Sequence, residues 1–341
     1  MKKRYWIAGA SGLAGGALAV KLLARPHDVD WAAHAGQLHH ADCSRFAAVD
    51  GARLHYQEAG PAGGPPVLLI HGFCSSTFVW SDVLLPLAAR NLRVIALDLM
   101  GFGFSAKPRN GEYTIEGQAR LIVRLLDQLG IERATLAGSS YGGAVAAACA
   151  LDHPERVERL ILVGAVTNNE AKRQPLARLA MVPVVGDLFS PLLLGSRWFT
   201  RWRISKGYKE NGARLIAKRM MSPHQLPLRT ANMHRAALLT LRRWDAERIG
   251  RAAHLINQPT LLIWGEKDHE VPLRHGEQLL KSMPCARLVV FRRCGHLPQE
   301  ERPQEFTEVV AEFCKESPGR KDMQGKHGVM QSAEREAAQE E

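Results

Sequence analysis

The sequence predicts an α/β architecture, with an eight-stranded, mostly parallel sheet, helices on both faces and an inserted helical cap. Three observations carry this. Short apolar runs alternate with amphipathic stretches between residues 44 and 315, the pattern of a parallel sheet covered on both sides. Several runs end in turns that hold Gly beside Ser, Asp or His, the place where such sheets put their sites. One interval between consecutive strands, from Val163 to Thr260, is far too long for a single crossover.

At the N-terminus, Lys2-Lys3-Arg4 precede sixteen residues without a charge, Tyr5 to Val20, and then Lys21. A span needs about 20 mostly apolar residues, so residues 1–24 read as a membrane anchor if Lys21 snorkels. Gly12 and Gly16 have the small-xxx-small spacing of close helix approach. Ala17-Leu18-Ala19 leaves a cleaved signal peptide open as the alternative. The side of the membrane stays undecided. Residues 25–43 follow as a tether.

The core is expected over 44–165 and 251–315. Strands are placed near 45–50, 53–58, 67–71, 94–98, 134–138, 159–163, 260–264 and 287–291. Helices are placed near 78–89, 115–129, 143–152, 273–282 and 304–315. The third run, Val67-Leu68-Leu69-Ile70, leads into His71-Gly72-Phe73.

The fifth run enters Gly138-Ser139-Ser140-Tyr141-Gly142 and then an Ala-rich helical stretch. Strand, sharp turn and helix with small residues on either side describe a nucleophile elbow, with Ser140 at the tip and Ser139 packed. A serine hydroxyl is a weak nucleophile and needs a base held by a carboxylate. Two backbone N–H groups must also meet the developing oxyanion. Tyr141 N–H, after the nucleophile, and Phe73 N–H, after the third strand, fit that role. His71 then braces the loop.

Residues 166–250 form the expected cap, with sixteen Lys and Arg against five Asp and Glu. The cap therefore carries +11, as much as the whole chain. It contains the apolar runs Leu179 to Val185 and Pro191 to Leu194, followed by Arg197-Trp198-Phe199-Thr200-Arg201-Trp202-Arg203. Aromatic and basic residues beside an apolar stretch suit a bilayer interface. The same residues also suit an acyl pocket with arginines turned to water, and both readings stay open.

After the cap, Thr260 to Gly265 runs into Glu266-Lys267-Asp268, and Arg287 to Phe291 runs into Cys294-Gly295-His296. Asp268 is placed as the orienting acid, with Glu266 and Glu270 as alternatives, and His296 as the base. His269 reads as a loop residue. Residues 316–341 are charged and polar, and are expected to be a disordered tail.

On these motifs the chain resembles the α/β-hydrolase superfamily over about residues 44–315. The shared features are the elbow, the order Ser140, Asp268, His296, and His71-Gly72-Phe73 with Trp80. Asp98 to Ser105, and Gly295-His296 followed by Glu301-Arg302-Pro303, complete them. The resemblance implies a hydrolase and makes the Asp98 loop structural. Ser140, rather than aspartate, argues against haloalkane dehalogenases and epoxide hydrolases. The apolar N-terminal segment makes the chain look most like membrane-anchored monoacylglycerol lipases and carboxylesterases.

Composition excludes other classes. No dinucleotide or phosphate loop is present, because Gly101-Phe102-Gly103 lacks a third glycine, and no cofactor or metal is implied. Six cysteines show no metal spacing. A Cys285–Cys294 bridge across one strand stays open, with thiols preferred. Basicity without a recognition motif does not make a nucleic-acid binder. The expected function is cleavage of a lipophilic carboxylic ester such as a monoacylglycerol. The alternatives are a carbon–carbon bond hydrolase of aromatic degradation and a non-catalytic binding protein of this fold. Expected partners are the ester substrate and a membrane surface, met by the N-terminal segment and the basic cap.

Overall fold

Alternate residues of the central strands go to opposite sides of one sheet, and both sides are apolar. Leu68, Ile70, Leu136, Leu160, Leu162, Leu262 and Leu288 fall in one core cluster. Val67, Leu69, Ala137, Ile161, Val163, Ile263 and Val289 fall in the other. This period-2 split of uninterrupted apolar runs is what a sheet buried on both faces requires.

The computed structural model describes residues 26–194, 196–209, 212–222, 225–316 and 329–331. The strands are β1 (Ser44–Val49), β2 (Ala52–Ala59), β3 (Pro66–Ile70), β4 (Arg93–Leu97), β5 (Ala134–Ser139), β6 (Val157–Val163), β7 (Thr260–Gly265), β8 (Ala286–Phe291) and β9 (Val329–Gln331). They form one sheet in the order β1-β2-β4-β3-β5-β6-β7-β8-β9. β1 pairs antiparallel with β2, and β2 antiparallel with β4. All remaining pairs are parallel.

Helices Ile115–Gln128, Tyr141–Asp152 and Arg274–Ser282 cover the first face, and Pro303–Lys315 the second. The order of strands reverses between β3 and β5. That reversal opens a crevice at their C-terminal ends, where the loop after β3 meets the turn after β5.

Two expectations need correction. The helix expected over 78–89 is divided into a 3-10 turn, Thr77–Trp80, and a short helix, Leu84–Ala88. The Ser76 side chain accepts from Phe78 N–H and the Asp98 carboxylate from Thr77 N–H, which fixes the first turn separately. Pro86 has no N–H to continue an earlier helix. The sheet also has nine strands rather than eight. Residues 329–331, inside the stretch expected to be a disordered tail, lie parallel to β8 on its open edge.

Between β6 and β7 the chain forms helices Glu170–Arg173, Pro175–Met181, Val185–Leu194, Arg197–Gly207, Gly212–Met221, Ala231–Arg243 and Glu247–Ala252. Ile204, Tyr208 and Ile216 make a small apolar cluster of their own there. The segment expected as an anchor, 1–24, lies outside the described residues. Among the described residues no helix is long and apolar enough to cross a membrane. None of the six cysteines, Cys285 and Cys294 included, is in a disulfide.

Candidate active site

Four adjacent strands deliver the site. Ser140 follows β5, Gly164 follows β6, Asp268 lies just past β7, and His296 lies past β8. Ser140 has φ +54° and ψ −118°, a backbone position that a non-glycine residue adopts only when its surroundings impose it. They do so here. Its N–H donates to Val163 O at 2.8 Å, and its carbonyl accepts from Gly143 N–H at 3.0 Å and Val166 N–H at 3.1 Å. The serine is held half-buried at the start of helix Tyr141–Asp152. Ser139 is buried, and its hydroxyl accepts a hydrogen bond from Gln299.

The structure brings His296 and Asp268 together. His296 Nδ1–H donates to Asp268 Oδ2 at 2.7 Å, with both residues buried. Asp268 Oδ1 accepts from the N–H groups of Glu270 (2.8 Å) and Val271 (2.9 Å). The alternative acids are placed otherwise. Glu266 accepts from Arg293 N–H, and Glu270 lies 3.8 Å from the opposite nitrogen of the ring, Nε2. Asp98 is fully buried and accepts from His55, Thr77 N–H and Phe104 N–H. Burial alone would raise its carboxyl, but His55 outweighs this and holds it at about 2.

The loop carrying Phe73 packs directly on the elbow. A Cβ added at Gly72 would stand 3.1 Å from Ser140 Cβ, so a side chain there would crowd the serine and glycine eases the close approach of the two loops. His71 is buried; its Nδ1–H donates to Gly72 O at 2.7 Å and its Nε2 accepts from Leu99 N–H at 3.0 Å. Burial pushes its pKa down, which suits the neutral ring those two bonds demand. The Phe73 ring lies 5.9 Å from Phe102, 5.9 Å from Trp244 and 6.4 Å from Tyr141. The Phe73 side of the elbow is therefore aromatic.

Two features were not read from the sequence. The first is Gly164, with φ +49°, where a Cβ would stand 3.0 Å from His296 Nδ1 and 3.1 Å from Asp268 Oδ2. Gly164→Ala is expected to displace that pair and lower kcat/KM about 10²-fold, the effect of an ångström-scale misplacement. The variant should keep a cooperative thermal transition. Steady-state rates within threefold of the wild type would show that the pair tolerates the methyl group.

The second is the dock between cap and core. Arg219 is buried and donates to Glu300 Oε1 and to Ser75 Oγ, each at 2.8 Å. Tyr208 Oη–H donates to the other Glu300 oxygen. Gly207 O accepts from His296 N–H at 2.8 Å, while Glu301 accepts from Gly295 N–H and Lys209 N–H. One stretch of cap thus holds both the histidine loop and the loop two residues past Phe73. Breaking a buried pair of this kind costs about 3–5 kcal/mol. The adjacent acids Glu300 and Glu301, one turn after His296, were the available signal. Among the described residues no group of three or more His, Cys, Asp or Glu is placed to hold a metal ion.

Comparison with known proteins bears on the fold. Residues 65–303 match the alpha/beta hydrolase fold family. The 2-hydroxymuconate semialdehyde hydrolase of Pseudomonas sp. (strain CF600) is 30% identical over 285 residues, covering 78% of this chain and 92% of that protein. A membrane phospholipase A, a bacterial virulence factor, has a TM-score of 0.64 at 25% identity, covering 92% of this chain and 98% of its own. Est816, an N-acyl homoserine lactone degrading enzyme, has a TM-score of 0.62 at 29% identity, covering 79% and 100%. An elbow serine, a buried His–Asp pair on neighbouring strand ends and a family match over most of the chain lead to one assignment: the protein belongs to the alpha/beta hydrolases.

Proposed function

We propose that the chain is a serine hydrolase that cleaves a carboxylic ester of a lipophilic substrate, such as a monoacylglycerol or similar single-chain lipid. Ser140 Oγ attacks the ester carbonyl while His296 Nε2 takes its proton, and Asp268 keeps the imidazole in the tautomer that can accept it. The N–H groups of Phe73 and Tyr141 receive the negative charge on the carbonyl oxygen. Collapse expels the alcohol, which takes the proton from His296 and leaves Ser140 acylated. A water then gives a proton to His296 as its oxygen bonds to the acyl carbon, and His296 returns that proton to Ser140 Oγ as the acyl–serine bond breaks and the acid leaves.

The observation that carries the ester reading over its rival is the state of Arg219. A dienoate-cleaving enzyme needs polar groups for the substrate's charged end. The buried cap arginine beside the site is already taken by Glu300, Tyr208 and Ser75. The side chains packed along the Phe73 side of the elbow, Phe73, Phe102, Tyr141 and Trp244, are aromatic, a flank that suits an acyl chain better than a charged end. The phospholipase and the lactone-degrading enzyme among the similar structures point the same way.

A series of p-nitrophenyl esters tests this. With each methylene buried worth about 0.8 kcal/mol, kcat/KM should climb by up to about fourfold per methylene over the medium acyl chains. A steady fall beyond acetate would overturn the lipophilic substrate.

The relative that acts on 2-hydroxymuconate semialdehyde supports a second reading, hydrolysis of a carbon–carbon bond next to a dienoate. Loss of the dienoate chromophore on incubation with the enzyme, faster than hydrolysis of any ester, would establish it. The N-terminal segment, 1–24, is proposed as a membrane anchor that keeps the enzyme beside its substrate. Its sequence, basic residues followed by a charge-free run, is the support.

A further inference from the structure

Most of the large apolar side chains that the described residues leave exposed are on one part of the cap. Leu179, Val184, Leu188, Phe189, Trp198 and Trp202 all stand in solvent, Val184 at 68% and Trp198 at 72% exposure. Val184 lies in the turn between the first two of three consecutive helices, and the other five lie on those helices, which pack in series: Pro175–Met181 on Val185–Leu194, and that on Arg197–Gly207. A monomer in water rarely spends so many large apolar side chains on one surface without a partner.

We infer that this surface of the cap lies against an anionic lipid bilayer, with the two tryptophans at headgroup depth. Three observations select that occupant. First, residues 171–206 hold seven Lys and Arg but a single acid, Asp187. Arg242, from helix Ala231–Arg243, engages that acid, and Glu247 engages Arg173, so the segment that carries the apolar side chains keeps a clear excess of positive charge. Negatively charged headgroups complement it.

Second, Trp198 and Trp202 stack with ring planes 9° apart, and the Lys206 ammonium sits 4.1 Å over the Trp202 ring. The series 198, 202, 206 runs along one side of its helix, with flat rings and a cation as an interfacial belt has them.

Third, the chain enters the domain at this place. Pro26 O accepts from Ala231 N–H, and His27 O from Asn232 N–H, at the start of helix Ala231–Arg243. That helix packs on Val185–Leu194. Val20, the end of the charge-free run, is six residues before Pro26. Six steps reach at most about 20 Å, so an anchored N-terminus holds the cap, rather than the opposite end of the sheet, near the bilayer. The inference rests on that anchor for its orientation and is independent of the reaction catalysed.

The test uses the full chain reconstituted in vesicles of phosphatidylcholine and phosphatidylglycerol whose acyl chains carry bromine, a short-range quencher of tryptophan. Trp6→Phe removes the signal of the N-terminal segment and leaves six tryptophans. The bilayer should then quench roughly the share of emission that Trp198 and Trp202 supply, and W198F/W202F in the same background should lose that quenching. Equal quenching in both proteins, or none in either, overturns the inference. So does undiminished quenching of Trp198 and Trp202 in pure phosphatidylcholine, which would leave the basic frame without a role. A cap surface buried instead between two copies would show no quenching, together with self-association in detergent that L188S/F189S abolishes. Exposed Trp→Phe changes leave the fold intact, and unchanged hydrolysis of a short soluble ester checks this.

Discussion

Ser140→Ala should lower kcat on its best ester about 10⁴- to 10⁶-fold, with a thermal midpoint close to that of the wild type. The size follows from the way a triad acts as a unit: without the nucleophile, His296 and the oxyanion groups retain only the small share of catalysis that positioning gives. The stability expectation follows from the elbow. Alanine keeps the Cβ that already occupies φ +54°, and the bonds that hold the turn, to Val163, Gly143 and Val166, all use backbone atoms. Fluorophosphonate labelling read by intact mass adds an independent measure, with one adduct on the wild type and none on the variant. A folded wild type that takes no adduct would overturn the proposed chemistry and favour a binding protein of this fold. An adduct that persists in the variant would place the nucleophile elsewhere.

The parts of this site that were legible in the sequence are those whose physics is local. A buried parallel strand must be apolar at every position, so β3 to β8 stand out as runs such as Val67-Leu68-Leu69-Ile70. A nucleophile elbow must be small on both sides of its serine, so Gly138 and Gly142 mark Ser140. Asp268 and His296 are picked out because the proposed chemistry asks for an acid and a base after strands, in that order, and the two side chains meet in the fold.

Gly164 escapes the same reading. Val163-Gly164-Ala165 looks like any strand end, and the need for glycine there arises from His296, 132 residues later, on a strand two places away in the sheet. Arg219 escapes for a related reason. It is one of sixteen basic residues in the cap, and only the docked fold shows that it is the one buried against Glu300 among the described residues. The ninth strand was hidden by its surroundings. Val329-Met330-Gln331 is too short to stand out within a charged tail, but the open edge of β8 offers unpaired backbone groups that a short segment can satisfy.

The role of the acid can be tested with similar sharpness. Asp268→Asn is expected to cost about 10⁴ in kcat, because an amide cannot satisfy the three donors that this carboxylate receives. Oδ2 faces His296 Nδ1–H, and Oδ1 faces the N–H groups of Glu270 and Val271. An asparagine must turn its NH₂ toward one side or the other. Turned toward Glu270 and Val271, it opposes two buried donors and forfeits both bonds, at about 1–3 kcal/mol for a group left unsatisfied. Turned toward His296, it donates to Nδ1 and forces the proton onto Nε2. A ring protonated at Nε2 cannot accept the proton of Ser140, so the nucleophile stays a hydroxyl. The second arrangement keeps the two backbone bonds and is the one expected. It predicts a folded enzyme with little change in KM, slow fluorophosphonate labelling, and a ¹⁵N spectrum in which His296 has changed tautomer. A loss smaller than tenfold would remove Asp268 from the proposed mechanism. Glu270, at 3.8 Å from Nε2 rather than Nδ1, stands on the wrong side of the ring to replace it.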